Sequence, residues 1–153
     1  MNTRKLLLVG GIILVVAVLG VGTSLSMLSH GTYSEHGGID WHSDLETAIE
    51  TAGDEESPVL VYFWLEDCGS CSDFEAMLEE SGPPDAMDRY VLAAVRADET
   101  PETMDRYDVP STPRLVVLTP DGEKVASFNP LAVDDLDARL ERAYDEAIST
   151  TEQ

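Results

Sequence analysis

A chain of 153 residues has room for one domain with a tail or an anchor to spare. It carries 30 acidic side chains against 9 basic ones, which excludes nucleic acid as a ligand because phosphate contacts need the opposite sign. Apolar runs with clear periodicity recur along it and exclude a disordered chain.

The charge is divided unevenly. Residues 1–30 hold no acid and two bases, Arg4 and Lys5. The other 123 carry 30 acids and 7 bases, a formal −23, with Lys124 their only lysine. Such a surface suits either a basic partner steered by long-range attraction or, the reading favoured here, very high salt. The Debye length falls to about 3 Å at 1 M salt, so repulsion that strains the fold in dilute buffer is screened. The acid-rich, lysine-poor composition resembles that of extreme halophiles. It predicts unfolding in dilute buffer and refolding in molar salt.

Residues 1–5 precede Leu6–Leu28, a stretch of 23 residues without a charged side chain. As a helix it reaches about 34 Å, enough for a hydrocarbon core of about 30 Å, so residues 6–28 predict a transmembrane anchor. Arg4 and Lys5 in front of it place residues 1–5 in the cytoplasm and the acidic domain outside, by the positive-inside rule. A cleavable signal peptide competes with this reading. Its apolar core is about 7–15 residues, followed by a small-residue site, for which Ser24-Leu25-Ser26 is the only candidate. Either way the domain is exported.

Residues 29–39 are polar, glycine-containing and without period, and predict a linker. A short strand fits only around Ile39–Trp41. Ser43-Asp44-Leu45-Glu46 has capping-box form, and Leu45, Ala48, Ile49 and Ala52 make one apolar face of a helix. The loop Gly53–Ser57 ends it. Pro58–Leu65 then runs apolar and β-branched, as a strand buried on both faces of a sheet does.

The chain's two cysteines follow at once, in Cys68-Gly69-Ser70-Cys71. Phe74, Met77 and Leu78 fall at helical spacing behind them, which puts Cys68 near the first turn of a helix. Two cysteines three apart can close a disulfide there, and the helix amides favour a thiolate on the first. Ser81-Gly82-Pro83-Pro84 is a firm stop. Val91–Ala97 predicts a strand, and Thr100-Pro101 a short helix through Tyr107. Leu115–Leu118 and Val125–Phe128 read as antiparallel strands around Asp121-Gly122. Leu136, Leu140, Ala143 and Ala147 stripe a closing helix over about 133–149, and residues 150–153 are a tail.

A buried strand, Phe63-Trp64, the Cys68–Cys71 motif and, some forty residues on, Val109-Pro110-Ser111-Thr112-Pro113 together resemble the thioredoxin family over residues 40–149. The resemblance implies an α/β thioredoxin fold, a central mixed sheet flanked by helices, here preceded by one N-terminal transmembrane helix. It also implies a cis-proline, Pro113, opposite the cysteine pair, with the Thr112 backbone pairing with a substrate strand. No metal, nucleotide or flavin cofactor is implied. The partners implied are proteins bearing thiols or disulfides and a further redox protein that recharges the pair.

Within that frame the helix start assigns roles. Cys68 at its mouth is the expected nucleophile, and Cys71, one turn in beside Phe74 and Leu78, the expected resolving thiol. Gly69 leaves room for a partner's backbone. Trp64 serves either packing under the loop or contact with substrate, and Ser70 lies within the same surface. An inert staple is a weaker reading, since so short a loop stabilises by only about 2 kcal/mol. Zinc would need two more ligands, which only His30, His36 and His42 could approach; each of these reads as solvated. Trp41 and Tyr33 read as core or membrane-interface residues.

The motif departs from the family's usual Trp-Cys-Gly-Pro-Cys at Asp67 and Ser70. The family's buried acid, which passes protons to and from the resolving thiol, falls on Tyr62, and its lysine partner on Ala94; Glu66 is the one candidate substitute, but its strand position predicts exposure. Asp67 beside Cys68 disfavours the thiolate and leans the pair towards a reductant or a slow exchanger and away from a strong oxidant. These residues predict a membrane-anchored, extracytoplasmic thiol–disulfide oxidoreductase. The alternatives are a non-catalytic binding module on the same scaffold, or a dedicated thiol reductant for cofactor or metalloprotein assembly.

Overall fold

The computed structural model describes residues 32–151. The elements are β1 (Tyr33–His36), β2 (Ile39–His42), α1 (Leu45–Glu55), β3 (Val59–Trp64), α2 (Gly69–Ser81), β4 (Val91–Arg96), α3 (Pro101–Arg106), β5 (Arg114–Leu118), β6 (Lys124–Phe128) and α4 (Leu136–Thr151). Short 3-10 turns lie at Asp85–Arg89 and Pro130–Ala132.

Six strands form one mixed sheet in the order β1-β2-β4-β3-β5-β6. The central strand β3 runs parallel to β4, Val61 opposite Ala93, and antiparallel to β5, Val61 opposite Val116. Its residues alternate between two cores. Leu60 and Tyr62 pack with Phe74 and Leu78 of α2 and with Leu140, Ala143 and Ala147 of α4. Val59, Val61 and Phe63 pack on the other face with Ala48 and Ala52 of α1, with Met104 of α3 against them. A strand buried on both sides needs apolar residues at every position, and that is why its sequence runs without alternation.

The caps differ in detail from expectation. Asp44, not Ser43, starts α1: its Oδ1 accepts from the Thr47 amide at 2.8 Å, while Ser43 Oγ donates to the Thr32 carbonyl. The carboxylate is the better acceptor for an N-terminal amide, and the helix therefore begins one residue later. Thr100 stands at the N-cap of α3, but its hydroxyl turns back to the Arg96 carbonyl at 2.8 Å. Gly122, φ +85°, turns the chain between β5 and β6 as expected.

The largest correction lies at the start. Tyr33–His36, within the stretch read as linker, is a strand paired antiparallel with β2, Tyr33 opposite His42 and His36 opposite Ile39. Gly37 and Gly38, at φ +63° and +74°, form the two-residue turn, a connection that suits adjacent left-handed residues. The turn is pressed on α2: a Cβ on Gly37 would sit 2.9 Å from Leu78 Cβ. Trp41 is fully buried and donates from Nε1 to the His36 carbonyl, whereas Tyr33 is exposed beside His42. The expected span at residues 6–28 lies outside the described residues. Among the described residues no helix is long and apolar enough to cross a membrane.

Candidate active site

β3 ends at Trp64, and three residues carry the chain to the helix start. Asp67 makes the turn in the left-handed region, φ +54°. Cys68 is extended, φ −94°, and its Sγ accepts from the Cys71 amide at 3.2 Å, so the sulfur itself caps α2. Cys68 is half-buried and Cys71 is 2% exposed. The two are joined by a disulfide with their Cα atoms 5.2 Å apart.

The 109–113 loop meets this pair from the other side of β3. The Thr112–Pro113 bond is cis, Pro113 is buried, and Thr112 Oγ1 lies 3.6 Å from Cys68 Sγ. Ser70 Oγ is 3.7 Å from the same sulfur, and nothing stands within 4 Å of a Cβ built on Gly69. Cys68, Gly69, Ser70 and Thr112 thus surround one sulfur, with the backbone open on the Gly69 side. Trp64 is half-buried against the core around Cys71, its ring centroid 4.5 Å from that of His36. Asp67 is exposed next to Cys68.

Glu66 does not replace the missing buried acid. Its side chain is 65% exposed and accepts from Arg96 Nη2 at 3.0 Å, in a surface cluster with Asp98 and Glu99. Two hydrogen bonds from the Arg96 guanidinium hold the Asp98 carboxyl below its usual range. What lies beneath the cysteines is a different set. The hydroxyl of fully buried Tyr62 donates to Glu75 Oε1 at 3.1 Å, and His36 Nδ1 lies 3.0 Å from the same oxygen. Burial first, then the Glu75 charge, pushes the Tyr62 phenol far up, so it remains a donor.

His36 is 7% exposed, which corrects the expectation that it is solvated. His36 and Glu75 are the residues that sequence reasoning missed. Glu75 stands four residues after Cys71, on the face that also carries Leu78, but an isolated acid on an acidic helix gives no signal by itself. His30 lies outside the described residues, and among those described no group of three or more His, Cys, Asp or Glu is arranged to hold a metal.

The family model described as Thioredoxin matches residues 42–142. The thioredoxin of Bacillus subtilis is 37% identical over 83 residues, 54% of this chain and 75% of that protein. The thioredoxin of Alicyclobacillus acidocaldarius is 37% identical over 62 residues, 40% of this chain and 58% of the relative, so little more than half of its length is spanned. Among solved structures, a thioredoxin from Thermus thermophilus superposes with a TM-score of 0.55 at 28% identity, covering 67% of this chain and 83% of that one. Trxlp from Edwardsiella tarda, at 17% identity and a TM-score of 0.51, covers 66% and 95% and shares the fold. With the mixed sheet, the cysteine pair at the start of α2 and a family match over residues 42–142, the chain belongs to the thioredoxin family.

Proposed function

We propose that this protein is a thiol–disulfide oxidoreductase acting on protein substrates, anchored through residues 6–28 with its domain outside the cell. The observation that carries the redox reading is one arrangement. A half-buried Cys68 sulfur caps α2, 3.6 Å from Thr112 Oγ1, with Cys71 buried behind it. A thiolate at a helix start is stabilised by the amides and dipole, and Cys71 stands ready to displace whatever Cys68 has bound.

Written as a reductant, the reduced pair works in two displacements. Cys68 thiolate attacks one sulfur of a substrate disulfide, forms a mixed disulfide and releases the other sulfur as thiolate. Cys71 thiolate then attacks Cys68 Sγ, closes the Cys68–Cys71 bond and frees the second substrate thiolate. Two electrons pass to the substrate, and a redox partner restores the dithiol. Run backwards, the same steps oxidise substrates.

The anchor rests on the uncharged stretch Leu6–Leu28 behind Arg4 and Lys5, and the salt adaptation on the formal −23 of the remainder. The first test is the reduction potential of the pair in molar salt. Values near about −270 mV make the domain a reductant, and values near about −120 mV make it an oxidant. A pair that never equilibrates with thiol buffer would leave the binding module as the better account. Cys71→Ser is expected to trap substrate on Cys68, and Cys68→Ser to trap none.

A further inference from the structure

Resolution of the mixed disulfide requires Cys71 to lose its proton. Burial in apolar surroundings makes a thiol a poorer acid. Cys71 is 2% exposed, packed among Tyr62, Phe74 and Leu78. The position from which the family supplies a buried acid holds Tyr62, whose hydroxyl is a donor and accepts no proton.

Glu75 lies one helical turn beyond Cys71, at the i,i+4 spacing that makes neighbours on one helix face. Its two oxygens are used unequally. Oε1 receives both the Tyr62 hydroxyl, at 3.1 Å, and His36 Nδ1, at 3.0 Å. Oε2 has no protein partner among the described residues. The carboxylate is therefore clamped by one oxygen and open at the other. Its side chain is 29% exposed, so a proton collected there can pass on to solvent.

His36 is equally specific. It is 7% exposed, its Nδ1 faces Glu75, and its Nε2 is buried with no partner. The contact to Glu75 orients the ring with Nδ1 towards Oε1 and leaves Nε2 without a partner. The other carboxylates of the hairpin and α2, Glu35, Asp40, Asp73, Glu79 and Glu80, are exposed, and the hairpin's His42 is half-buried beside Tyr33.

We propose that Glu75, held through Oε1 by Tyr62 and His36, takes the Cys71 proton on Oε2 during resolution. The proposal rests on the oxidoreductase reading. In the step, the Cys71 S–H bond breaks as the Glu75 O–H bond forms. The sulfur's electron pair attacks Cys68 Sγ, the bond from Cys68 to the substrate sulfur breaks, and that sulfur leaves as thiolate. Glu75 then returns the proton to water. Tyr62 and His36 are positioning residues: by holding Oε1 they aim the free oxygen.

Stopped-flow kinetics on the full chain in molar salt separate the two displacements. Mixed-disulfide formation is read in the Cys71→Ser background and resolution in the cysteine-intact protein. Glu75→Gln keeps an acceptor for both donors. It is expected to leave formation unchanged and to slow resolution about 100-fold at neutral pH, the lower end of a general-base contribution. The deficit should close towards alkaline pH, where hydroxide removes the proton unaided. Tyr62→Phe and His36→Gln should displace the pH profile of resolution alone.

A Glu75→Gln resolution rate with the wild-type pH profile, or a deficit equal at every pH, overturns the proposal. Should the variant fail to fold, carboxyl NMR of wild type decides. Glu75 must titrate differently in the dithiol and disulfide forms, and identical titrations overturn the assignment. Absence of the formation phase in Cys71→Ser would instead remove the oxidoreductase reading, and this inference with it.

Discussion

Cys68 has two duties on one sulfur. It caps α2 by accepting the Cys71 amide, and it is the half of the pair that a partner can reach. The duties separate by substitution. Cys68→Ser and Cys68→Ala both abolish the disulfide, but serine retains a capping oxygen. The alanine variant is expected to be less stable than the serine variant by about 1 kcal/mol, the usual worth of an N-cap, in urea unfolding. Asp44 offers the same test with a pH signature. Hydrogen bonds from the Thr47 hydroxyl and amide hold its carboxyl below the usual 3.8. A depressed carboxylate contributes stability above its unfolded pKa and loses it as pH falls through the folded one. The stability gap between wild type and Asp44→Ala should thus be present at neutral pH and shrink on acidification below about pH 4. If it stayed constant, the cap would not be electrostatic.

At the scale of elements, the hairpin β1-β2 is fastened to the helix that carries the cysteines. Its turn lies against Leu78 and its His36 against Glu75. Two adjacent glycines make a controlled comparison. Both have positive φ, but a Cβ on Gly37 would meet Leu78 Cβ at 2.9 Å, whereas one on Gly38 has Glu79 Cγ at 3.8 Å as its nearest neighbour. The left-handed backbone costs an alanine about 1–2 kcal/mol at either site. Gly37→Ala adds a clash and should cost the larger amount by at least about 1 kcal/mol, again by urea unfolding. Equal costs would mean that the turn does not bear on α2. The hairpin also marks where sequence reading stopped. Pro58–Leu65 was legible because burial on both faces leaves an uninterrupted apolar run. Tyr33–His36 was not, because a four-residue edge strand of mostly polar residues has no period to show, and only the Gly37-Gly38 pair signalled it. The Tyr62–Glu75–His36 contacts join residues 13 and 39 positions apart, and no local pattern encodes such pairings. The cysteine pair and Pro113 were legible because their chemistry is tied to a short motif.

For the molecule as a whole, the decisive quantity is the excess of acids over bases. Among the described residues, Arg96 alone serves Glu66, Asp98 and Glu99, and Lys124 serves Asp108. Most of the 30 carboxylates have no cation to answer them. Surface ion pairs are worth about 0–1 kcal/mol each and cannot offset that many like charges, whereas added salt screens them all at once. The melting temperature of the protein is therefore expected to rise with salt up to molar concentration. A melting temperature indifferent to salt would remove the halophile reading and return attention to a basic partner.

One contact in this structure doubles as an optical reporter. The indole of Trp64 sits 4.5 Å from the His36 ring, and the chain's other tryptophan, Trp41, donates to the His36 backbone. Indole emission responds to what its ring touches. A Trp41→Phe protein would then report on the contact between Trp64 and a buried histidine through the brightness of a single chromophore. The same signal, followed while the cysteine pair is cycled, would report from inside the fold with no label attached.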